Sequence, residues 1–63
     1  MTALQRLQSQ VERSKPGIAA VLPSMDQSVA ATLHALESPS GRVLRILAFR
    51  GTHLFYRIRR VND

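Results

Sequence analysis

The sequence predicts an α+β domain, with three helical stretches followed by a C-terminal β-hairpin. Two observations carry this reading. Proline and glycine at Pro16-Gly17, Pro23, Pro39, Gly41 and Gly51 cut the 63 residues into short segments. Apolar residues recur at helical spacing before Pro39, whereas β-branched and aromatic residues crowd both sides of Arg50-Gly51-Thr52 after it.

The first helix is expected over about residues 2–14. Thr2 with Gln5 three residues on has capping-box spacing, and Leu4, Leu7 and Val11 share one face. The second is short. Pro16 suits a first helical position, Ile18, Val21 and Leu22 supply the buried side, and Pro23 stops it. The third begins near Ser24 or Asp26, either of which can cap it. Met25, Val29, Leu33 and Leu36 form its apolar stripe, with Gln27, Ala31 and His34 on the opposite side. In the hairpin, pairing Phe49 with His53 leaves a three-residue loop. That register sets Leu44, Ile46 and Ala48 on one face with Leu54, Tyr56 and Ile58. Val43, Leu47, Phe49 and Phe55, interleaved with Arg45, Arg57 and Arg59, take the other.

A chain of this length is expected to form a single domain over residues 1–63. It buries only about 60% of its unfolded surface and is marginal alone. With no cysteine, disulfides and thiolate metal sites are excluded, so oligomerisation is a natural supplement. The net charge is +5 and all basic residues but Lys15 are arginine. Arginine forks match phosphate oxygens bidentately. Arg42, Arg45, Arg50, Arg57, Arg59 and Arg60 cluster in the last third, where Asp63 is the sole acid. Such asymmetry points to an acidic partner, most often nucleic acid. The plainer alternative is a solvated face that keeps a small protein soluble. The longest apolar run, Ile18 to Leu22, is too short for a signal peptide or a membrane span. No membrane partner is therefore expected, and a cytoplasmic location is.

The spacing I-A-x-x-L at Ile18, Ala19 and Leu22, then V-x-x-x-L-x-x-L at Val29, Leu33 and Leu36, then a basic hairpin, resembles a winged helix-turn-helix. The resemblance covers about residues 16–60. It implies a three-helix DNA-binding domain with a C-terminal β-hairpin wing, of the kind found in bacterial or phage transcriptional regulators. The family pattern often has glycine after the leucine, where this chain has Pro23. The third helix would enter the major groove of double-stranded DNA and the wing would follow the backbone. Gln27, Ser28, Ala31 and His34 are then the candidate base-reading residues. Arg42, Arg45, Arg50, His53, Arg57 and Arg59 are the candidate backbone contacts, with Arg50 at the tip able to enter a narrow minor groove. The simplest alternative is that the alanines are only good helix formers and the arginine stems cover Phe49 and Phe55.

The expected mechanism is repression by occluding an operator. A homodimer is expected, with Leu4, Leu7 and Val11, or Leu47, Phe49 and Phe55, as candidate surfaces. The helical stripe is the more natural core. The rival is a protein-interaction module that inhibits or recruits an enzyme or polymerase through an acidic surface. RNA binding is disfavoured, because the expected fold offers no aromatic platform on a multi-stranded sheet. No enzyme is expected: Glu12, Asp26, Glu37 and Asp63 form no carboxylate pair, and His34 and His53 have no companion ligands at metal-binding spacing. The isolated glycines form no phosphate-binding loop, so neither cofactor nor metal is expected.

Overall fold

A computed structural model describes residues 2–62. Helix α1 (Ala3–Arg13) is followed by strand β1 (Ala19–Leu22), the single helical turn α2 (Val29–Thr32), and strands β2 (Ala35–Glu37), β3 (Arg42–Arg50) and β4 (His53–Arg60). The strands form one antiparallel sheet in the order β1-β4-β3-β2. The α+β class agrees with expectation. The three-helix winged helix-turn-helix does not: among the described residues there are two helices, one of them a single turn, and four strands.

Helix α1 forms as its sequence dictates. The Thr2 hydroxyl accepts from the Gln5 amide at 3.1 Å and the Gln5 side chain accepts from the Thr2 amide at 2.8 Å, closing a capping box. Leu7 and Val11 are buried against the sheet, whereas Leu4 is exposed. Arg6 donates to the carbonyls of Pro23 and Ser24, both at 2.7 Å, and so ties the helix to the end of β1.

The expected second helix is β1. Between Pro16 and Pro23 there is room for less than two helical turns, too few to repay nucleation. The same residues alternate as a strand. Ala20 and Leu22 turn inward, Ala19 and Val21 turn outward, and the edge of β4 supplies the hydrogen bonds. Ile18, expected in the core, is 57% exposed.

The expected third helix shrinks to α2. Ser28 makes no side-chain cap, and Leu33 is already extended at φ −140°. Ser24 holds a positive φ of 58°, which bars helix from that point. The Asp26 carboxylate accepts from the Ser28 amide at 2.9 Å, making a local turn. The apolar stripe still reaches the core by this other path: Met25 is buried, and Val29, Leu33 and Leu36 pack against it. Leu36 does so from β2, whose pairing satisfies the lower edge of β3.

The β3–β4 hairpin is present with a different loop. Arg50 pairs with His53, so Gly51 and Thr52 form a two-residue turn in place of the expected three. Gly51 has φ 62° at the first central position, the glycine-favouring site of a type II′ hairpin turn. Beyond the tip, a bulge between Ile46 and Ala48 restores the expected pairs Ile46 with Tyr56 and Leu44 with Ile58. The inserted residue exchanges two side chains near the tip: Phe49 packs against the core, and Ala48 is exposed. Leu44, Leu54, Tyr56 and Ile58 line the covered face with Leu7, Val11, Leu22 and Met25.

Candidate nucleic-acid interface

Alternation along β3 and β4 determines what the uncovered face carries. Leu54, Tyr56 and Ile58 are buried beneath α1 and its flanking segments, so Phe55, Arg57 and Arg59 point away from it. On β3, Val43 and Arg45 do the same opposite Arg59 and Arg57. The flanking strands complete the rows. One row reads Ala35, Arg45, Arg57 and Ala19 across β2, β3, β4 and β1. Glu37, Val43 and Arg59 lie in the next, while Ala48, Phe55 and Val21 lie on the other side of the arginines.

The central row holds two guanidinium-bearing chains directly opposite one another, flanked by alanines too small to cover them. Directly opposed side chains have Cβ atoms about 5 Å apart, and like charges there are destabilising. Among the described strand residues, the face's one carboxylate is Glu37, and it stands a row away beside Val43. Arg57 Nε is buried and has no hydrogen-bond partner among the described residues. A buried donor left unpaired costs about 1–3 kcal/mol, so this nitrogen adds a local cost to the opposed pair. A depression of about 530 Å³ lies along Arg45, Arg57 and Arg59, lined also by Val43 and Leu47.

The remaining arginines divide by the partners they have. Arg6 is bound to backbone carbonyls, and Arg42 donates to the Glu12 carbonyl at 2.6 Å near the end of α1. Arg42, expected on DNA, thus serves as a helix anchor. The Arg50 guanidinium stands 6.0 Å from the centre of the Phe55 ring. His53 faces Arg50 across the turn and is exposed.

The four residues expected to read bases from a single helix do not share one. Gln27 precedes α2 and donates to the Gly51 carbonyl at 2.8 Å, holding the hairpin tip. Ser28 occupies the cap position, Ala31 lies on the turn, and His34 follows it as an exposed residue. Of the candidate dimer residues, Leu7 and Val11 are consumed by the protein's own core and Phe49 is packed against it, while Leu4, Leu47 and Phe55 remain exposed.

Away from this face, the Glu12 carboxylate accepts from the hydroxyls of Ser38 and Ser40, and Ser40 lies 3.0 Å from its nearer oxygen. These bonds clamp α1 to the turn between β2 and β3. The Ser38 and then the Ser40 hydroxyl, with a smaller contribution from Arg42, hold its pKa below the usual carboxylate range. Among the described residues no group of three His, Cys, Asp or Glu side chains is placed to hold a metal ion. Nor is any helix long and apolar enough to cross a membrane.

Ala19 and Ala35 were missed as site residues because β1 and β2 were not expected as strands. Their sole signal was a small residue next to an unread strand pairing. No protein-family model, curated protein or solved structure matches the chain.

Proposed function

We propose that this chain is a nucleic-acid-binding module whose uncovered sheet face takes the phosphodiester backbone. The observation that carries this reading is the directly opposed pair Arg45 and Arg57. The chain bears the repulsion of that pair without neutralising it, and adjacent phosphates relieve that repulsion. Arg59, in the next row, carries the positive charge toward the sheet's lower end. The role of such a module in transcription rests here on charge and not on base reading by a helix.

Self-association through this face is disfavoured, since a two-fold axis across it juxtaposes the arginine rows of two copies. An acidic protein surface is the second reading, supported by the exposed Leu47, Phe55 and Val21 beside the arginines.

Fluorescence anisotropy of labelled oligonucleotides across a salt series tests the proposal. Neutralisation of three phosphates gives a slope of log K against log salt of roughly −2 to −3. Arg45→Ala and Arg57→Ala should each weaken binding to every sequence and reduce the slope by about 1. Binding that ignores salt, or that survives both substitutions, overturns it. An acidic protein partner held by the apolar residues would respond to salt much less.

A further inference from the structure

We infer that the nucleic acid taken by this face is single-stranded, with one base stacked on Phe55 and its neighbouring phosphates on Arg57 and Arg45. The inference rests on the proposed nucleic-acid binding and specifies its substrate class.

The first argument is shape. Four strands spaced by about 4.8 Å set the outer two about 14 Å apart before any side chain is counted. The major groove of duplex DNA is about 12 Å wide and admits a helix or a two-stranded ribbon. The β3–β4 tip is not such a ribbon, because β1 is paired as far as Leu54, the second residue of β4. The face therefore meets a duplex only along its outer phosphates, whereas an unpaired strand can lie across it with its bases turned to the sheet.

The second argument is the place of Phe55. It is the aromatic side chain on this face, 36% exposed, and one row from the opposed arginines. Its neighbours across the sheet are Ala48 and Val21, too short to shield the ring from a planar ligand. Sheets that bind single strands use this combination of an aromatic stacking surface and nearby cationic side chains. Arg50, on the hairpin tip, stands 6.0 Å from the ring centre, at the outer limit of cation–π contact. It is weakly held there, so a base can displace it and be covered by its guanidinium from the other side. Backbone charge and base stacking then act on the same strand from adjacent rows.

The test compares the full chain with Phe55→Leu, which keeps apolar bulk at an exposed position but removes the ring. The probes are labelled dT12, rU12 and a mixed-sequence DNA duplex of the same length, all at one salt concentration. The expected result is single-strand affinity at least about tenfold above duplex affinity. Phe55→Leu should lower the former by about tenfold and leave the latter unchanged. An oligonucleotide carrying 2-aminopurine should lose fluorescence on binding the natural chain and not the variant. The ratio of rU12 to dT12 affinity assigns the sugar. Equal affinity for single strand and duplex, with Phe55→Leu silent and Arg57→Ala still weakening both, overturns the single-strand inference while leaving nucleic-acid binding intact. Binding of none of the three probes at low salt overturns both.

Discussion

The two faces of the β3–β4 ladder are built from alternate residues of the same strands, yet they answer to opposite demands. The covered face holds Leu44, Leu54, Tyr56 and Ile58, all buried. The uncovered face holds Arg45, Phe55, Arg57 and Arg59, with like charges directly opposed at its centre. Burial of apolar area stabilises the first at about 25 cal/mol per Å². The second contributes repulsion. Stability and proposed binding are therefore divided by the pleat, and substitutions one residue apart should separate them.

The largest effect is expected at Leu54, which has no exposed surface. Leu54→Ala should cost about 2–5 kcal/mol. A core of this size supplies a net stability of about 3–5 kcal/mol, so a urea titration followed by circular dichroism should find the variant largely unfolded. A smaller effect of opposite sign is expected on the uncovered face. Arg45→Glu places opposite charges across the ladder at Arg57 and should raise stability by roughly 0.2–1 kcal/mol. The same variant should abolish oligonucleotide binding. A variant that is less stable, or that binds as before, breaks the division between the faces.

The third prediction concerns the clamp at the edge of the covered face. The folded-state pKa of Glu12 lies below its ordinary value, first because of Ser38 and then Ser40. Its contribution to stability is therefore fully present above about pH 4.5 and is lost as pH falls through the lowered folded value. Glu12→Gln should flatten the stability profile over that acid interval and leave nucleic-acid affinity unchanged at neutral pH. Urea midpoints measured from pH 3 to 7 check it. An unaltered acid limb would assign the acid sensitivity to another carboxylate, with Asp26 the next to examine because its pKa is also lowered.

Legibility in the sequence divides along similar lines. Helix α1 and the hairpin could be read because each is specified locally: Thr2 and Gln5 for the helix cap, β-branched and aromatic residues around Gly51 for the turn. The stretch from Ile18 to Leu36 was misread because its apolar spacing satisfies two periods. Leu22, Met25, Val29, Leu33 and Leu36 do reach or flank the core, yet the partner that decides strand over helix is the distant edge of β4 or β3. No local pattern reports that partner. The Leu47 bulge escaped for a related reason. The expected three-residue loop follows from one register throughout, whereas the bulge lets the tip and stem obey different ones. The arginines of the hairpin were recognised as the charged surface. Their opposed arrangement between two alanines became visible only with all four strands in place.

The strand order carries a kinetic consequence. β4 is central in the sheet, and Ala19 pairs with Arg57 and Leu22 with Leu54. β1 therefore has nothing to join until the distant hairpin exists, and closing that long loop early is entropically costly. We expect the β3–β4 hairpin to form in the folding transition state, with β1 docking afterwards. Stopped-flow measurements should show Gly51→Ala, strained at its positive φ, slowing refolding, and Val21→Ala chiefly accelerating unfolding. The reverse pattern would put the β1–β4 pairing in the nucleus. In the expected order, the strand at the middle of the finished sheet is organised early and is the template on which the N-terminal half condenses.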